Sequence, residues 1–122
     1  MSRRPSAAAG CAAAAVSWLG LFLHNVADLP GHTLASPESA VPALITVGLL
    51  AGWLAARDRS TPRRLVLAWG WLHLVGGALS VLPLPLLPYA PDQSLRHYAA
   101  HALYAAAQLP LVLAFSARRG PR

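Results

Sequence analysis

His24 and Asp28 stand four residues apart in one apolar stretch, and His97 and His101 repeat that interval in another. On a helix, side chains four residues apart share a face, about one turn from each other. Three imidazoles and a carboxylate offered in this way form a donor set suited to Zn²⁺ or Cu²⁺. His73 opens a second chemistry. Paired with His101 across a helical bundle it could ligate haem b, with Gly76 and Gly77 leaving room for the porphyrin. A third use is a proton or solute path that runs from Asp28, His97 and His101 on to Tyr104 and Gln108. The plainest use is hydrogen bonding between helices, which holds them in register.

The elements that must position these residues follow from composition and charge. The chain has 122 residues, 56% of them hydrophobic and 11% charged, against roughly 25% charged in an average soluble domain. A single domain of this size cannot hide so much apolar surface from water, but lipid can cover it. The net charge of +6 would point to nucleic acid in a soluble chain. Here the arginines flank apolar spans, so anionic lipid headgroups are the expected partner and nucleic acid is not.

Apart from Arg96, the basic residues fall in three clusters: Arg3 and Arg4; Arg57, Arg59, Arg63 and Arg64; and Arg118, Arg119 and Arg122. Four apolar helices are expected over about 7–27, 38–56, 63–82 and 94–115, each near the ~17–25 residues that cross a bilayer. Ser36-Pro37-Glu38 and Thr61-Pro62 read as the capped starts of the second and third. Arginine-rich flanks stay on the cytoplasmic side. The expected fold is therefore an all-α, integral membrane four-helix bundle, one domain over 1–122, with both termini cytoplasmic. Asn25 stands where a small residue should precede a signal-peptide cut after Ala27, so the first segment is read as a permanent helix. The chain lacks Lys and is rich in Ala, Arg, Gly and Pro, the usage of a GC-rich bacterial genome. The expected location is thus the bacterial plasma (inner) membrane, with multiple crossings.

Each helix shows one distinct face at 100° per residue. The first aligns Gly10, Ser17, Gly20, His24 and Asp28; the third aligns Trp69, Gly70, His73, Gly76, Gly77 and Ser80. The fourth aligns His97, His101, Tyr104 and Gln108. The second offers only Val41, Ile45, Gly48, Gly52 and Ala55, a small-residue face expected to pack in assembly. By the positive-inside rule the histidines of the bundle fall in its outer half. His32, in the outer loop, is read as a solvated histidine. Arg96 is expected to pair with Asp92 or Asp28. The proline-rich stretch Pro83–Pro91 cannot be helical and reads as a stiff interfacial connection.

No Gly-x-Ser-x-Gly elbow or phosphate-binding glycine loop is present, and nothing points to a hydrolase. The role expected is that of an accessory or binding protein with a metal or haem site. The alternatives are a small transporter or channel-like subunit acting as a homo-oligomer, and a structural subunit of a larger membrane complex.

Overall fold

Ser6 opens the first helix by accepting the amide of Ala9 at 3.1 Å, the usual service of a serine N-cap. The computed structural model describes residues 5–116. The arginine clusters at 3–4 and 118–122 lie outside the described residues. Four helices follow in order: α1 (Ala7–Asp28), α2 (Pro37–Ala55), α3 (Ser60–Trp71) and α4 (Leu95–Ser116). Among the described residues there is no strand. Helices α1, α2 and α4 are long and apolar enough to cross a membrane.

Two helix starts were anticipated and one is built differently. Ser36 precedes Pro37 and Glu38 as expected, although its hydroxyl turns back to the Thr33 amide. Helix α3 begins at Ser60, not at Pro62, because Asp58 accepts both the amide and the hydroxyl of Ser60. The third helix also departs from a regular span over 63–82. From Leu72 to Gly77 it widens into a π turn, and the chain leaves helix before Leu82. The paired glycines at the end of that turn hold a helix weakly, and π turns gather where a helix carries a functional site.

Helices α1 and α4 form the closest pair. A Cβ on Gly20 would overlap the methyl of Ala107, so only glycine permits this approach of the two backbones. Next to it Ser17 donates to Gln108 Oε1, and Gln108 Nε2 donates to the carbonyls of Ser17 and Tyr104. Ser17 and Gln108 are buried, and these bonds leave neither without a partner. The floor of the bundle is apolar: Ala13, Ala14, Trp53, Val66, Leu111 and Phe115. Trp53 and Phe115 meet edge to face, with ring centroids 4.9 Å apart.

Helix α2 corrects the sequence reading of its face. Gly48 and Gly52 have nothing within 4 Å of where a side chain would begin, and Val41 and Ile45 are exposed. The buried residues of α2 are Ser39 and Trp53. Spacing alone cannot tell which way a small-residue stripe faces. Trp53 fills the floor and Ser39 binds three partners from α1 and the outer loop, and these turn the glycines outward. Gly76, on the same small-residue face as Ser80, is likewise open apart from its own Leu72 at 3.9 Å.

Candidate metal centre

Helices α1 and α4 bring their polar faces together at one end of the bundle. His24 Nε2 lies 2.9 Å from His101 Nε2 and 3.1 Å from Asp28 Oδ2. His24, Asp28 and His101 each place one ligand atom within 4.8 Å of the other two. His97 reaches the same carboxylate oxygen through Nδ1 at 2.9 Å. The four residues singled out by their spacing are therefore gathered, three as a mutual cluster and His97 through Asp28. Cys11 lies thirteen residues before His24, about 20 Å along the helix, so no sulfur joins the set.

The outer contacts of the two central histidines orient their rings. His101 Nδ1 lies 2.9 Å from the carbonyl of Gly77. A carbonyl only accepts, so Nδ1 carries a hydrogen and Nε2 is turned toward the cluster. His24 Nδ1 lies 3.2 Å from Asn25 Oδ1. The Asn25 amide cannot be reversed, because its Nδ2 donates to the Glu38 carbonyl at 3.1 Å and to Ser39 Oγ at 3.0 Å. His24 Nδ1 is therefore also a donor, and its Nε2 is turned toward the cluster. The two Nε2 atoms thus face each other at 2.9 Å, beside a carboxylate. With both rings neutral their lone pairs would repel, and a shared cation, a proton or a metal ion, resolves the contact.

Asp28 tells the same story. Its side chain is only 9% exposed, yet neither oxygen makes a hydrogen bond. The imidazole nitrogens of His24 and His97 lie 3.1 and 2.9 Å from Oδ2, contacts that become ion pairs when a ring is protonated. Close approach without hydrogen-bond alignment is how ligands sit around a shared ion. The observed separations approach the ~3.3 Å edge of a tetrahedron with bonds of about 2.0 Å.

Backbone breaks supply the outer contacts. Pro42 lies inside α2 and has no amide hydrogen, so the carbonyl four residues earlier, that of Glu38, is left without its helical donor. Asn25 takes it. Gly77 stands near the end of the third helix, where carbonyls lose their partners, and His101 and Ser80 take this one. Sequence reading missed Asn25, Pro42 and the Gly77 carbonyl. The only signal available was that Asn25 is the sole asparagine of the chain and lies in an apolar helix.

His32 is corrected as well. Its side chain is 2% exposed, bonded to Ser39 Oγ at 2.7 Å and packed against Phe22. It joins the chain Ser39–Asn25–His24 and is not a solvated loop residue. Arg96 takes Asp28 as one partner, at 3.9 Å, and the carbonyl of Ala27 as another, at 2.9 Å. Asp92 instead accepts from Ser94.

The pair proposed for haem, His73 and His101, is divided between different partners. His73 Nδ1 is hydrogen-bonded to the hydroxyl of Tyr104, and His101 faces His24. The space beside Gly77 is filled by the Tyr104 ring, so the residues present do not open a porphyrin slot there. Tyr104 and Gln108 do continue the polar column beneath the histidines, as their spacing implied. Compared with known proteins, the chain matches no family model, no curated protein and no solved structure.

Proposed function

We propose that the chain is a small multi-pass membrane protein that binds one transition-metal cation, Zn²⁺ or Cu²⁺, between α1 and α4. His24 Nε2, His101 Nε2 and Asp28 are the ligands, with His97 completing or supporting the set through the same carboxylate. The observation that carries this reading is the pair of Nε2 atoms held 2.9 Å apart beside Asp28, each ring oriented from behind by Asn25 or Gly77. Hydrogen bonds to the far nitrogen of a ligating histidine are the standard outer support of a metal site. Nitrogen and carboxylate donors without sulfur suit these two ions. Binding, not conduction, fits the column below: it ends at the fully buried Gln108, above the closed apolar floor of Leu111 and Phe115.

The membrane reading rests on three helices of spanning length and on their outward sides. Leu19, Leu23, Leu44, Val47, Leu72, Leu103 and Leu113 are all exposed, a surface that lipid covers and water does not. With α3 and its π turn as a fourth crossing, the 56–59 connection and the arginines of the first turns of α3 lie on the cytoplasmic side, and the histidines lie in the outer half of a bacterial inner membrane. Reporter fusions and cysteine labelling in the 56–59 and 29–35 connections check this. Labelling of both from the same side would overturn it.

The decisive experiment for function is elemental analysis of the purified chain after supply of Zn²⁺ or Cu²⁺. One ion per chain is expected, and its absence would sink the proposal. Asn25→Leu is expected to weaken binding by about 10–100-fold, the range for loss of an outer-shell partner, while circular dichroism shows the helices retained. Competition against a chelator of known affinity measures it.

A further inference from the structure

Asp28 has two oxygens and two kinds of neighbour. Oδ2 faces His24 and His97, and Oδ1 faces Arg96 at 3.9 Å. The guanidinium is 73% exposed while the carboxylate is 9% exposed. It is held from behind, by donation to the carbonyl of Ala27 in the last turn of α1, a position that favours a cation. Arg96 therefore hangs over the carboxylate without a hydrogen bond to it. Beside the pair opens a cavity of about 470 Å³, lined by Val26 to His32 together with Arg96, and Asp28 forms part of its wall. On the opposite side Tyr104 and Gln108 are buried, and Leu111 and Phe115 close the floor.

We infer that the metal centre is an exchange site, loaded and emptied with a hydrated divalent cation through this mouth, and that Arg96 is the resident cation the metal displaces. The inference rests on the metal reading above. Without metal, Arg96 is the positive charge nearest Asp28 from the open side. Once a divalent ion sits on Asp28, His24 and His101, the local charge turns positive and Arg96 is repelled. Each cation thus opposes the other, and Arg96 keeps the affinity low enough for release. A permanently held structural ion has no use for such a competitor at its door.

The test uses the full chain in detergent, with Zn²⁺ as the probe and a fluorescent chelator as competitor. Arg96→Gln keeps a donor for the Ala27 carbonyl and removes the charge. It is expected to bind Zn²⁺ about three- to tenfold more tightly, a moderate effect because the guanidinium is solvent-screened, and Arg96→Lys is expected to stay near wild type. The gain should shrink in high salt. In a Cys11→Ser background, Leu29→Cys places a thiol in the mouth, and a bulky maleimide on it is expected to slow Zn²⁺ release several-fold. Failure of the wild-type chain to bind Zn²⁺ or Cu²⁺ would overturn the metal reading itself. Binding with Arg96→Gln unchanged or weaker, and release unslowed by the label, would overturn the exchange inference alone.

Discussion

Replacing His101 by alanine is expected to abolish stoichiometric metal retention, with an affinity loss beyond the ~100-fold ceiling of an outer-shell change. His101 turns its Nε2 to that of His24 at 2.9 Å, whereas His97 meets the cluster through Asp28. The fold should tolerate the change, since the Gly77 carbonyl it leaves still accepts from Ser80 Oγ at 2.7 Å. His24→Ala should match it. His97→Ala should do less, about 10–100-fold, because His97 reaches the site through Asp28. His73→Ala should leave the affinity within threefold or so, since its partner is Tyr104. Isothermal titration of the four variants gives the order directly. Equal losses for His73→Ala and His101→Ala would contradict the assignment.

The second large effect is mechanical. Gly20→Leu is expected to force α1 from α4 and to remove metal binding, although Gly20 is four residues from the nearest ligand. Even one added carbon meets the methyl of Ala107; overfilling a packed contact costs about 1–3 kcal/mol, and the rest of a leucine must displace the α4 backbone. The two halves of the site ride on these two helices, so a shift of about 1 Å is enough to break convergence. Thermal unfolding in detergent, read by circular dichroism, should show the lost stability, and elemental analysis the lost metal. Exchanging the pair, Gly20→Ala with Ala107→Gly, should recover most of both. If the exchange rescues neither, close approach at this point is not what assembles the site.

Much of this arrangement was legible in residue types and spacing. Four residues between His24 and Asp28, and again between His97 and His101, place each pair on one face whatever else the chain does. Gly20 falls on the face that meets α4, where nothing larger fits, whereas Gly77, read as room for a porphyrin, lies against the Tyr104 ring. What could not be read was every partnership that runs through a backbone carbonyl. Pro42 frees the Glu38 carbonyl for Asn25, and a helix end frees that of Gly77 for His101. Neither acceptor leaves a mark in a pattern of side chains. The face of α2 was misread for a related reason. A glycine stripe permits contact without requiring it, and the anchors that turn the helix are Trp53 and Ser39, one apolar and one small and polar. His32 was misjudged because loop position suggests solvent, while Phe22 and Ser39 in fact enclose it.

The ring nitrogens that meet at the centre belong to residues 77 positions apart, on the first helix and the last. During synthesis, α1 must therefore wait with a buried acid and a histidine unmatched until α4 arrives. Long-range closure of this kind is slow and late, and the unfinished chain carries an exposed polar half-face in the meantime. On the proposed metal reading, capture can only follow the arrival of α4. An occupied site would then mark a chain in which α1 and α4 have met, and a cell short of the ion would hold its newest copies in a looser state.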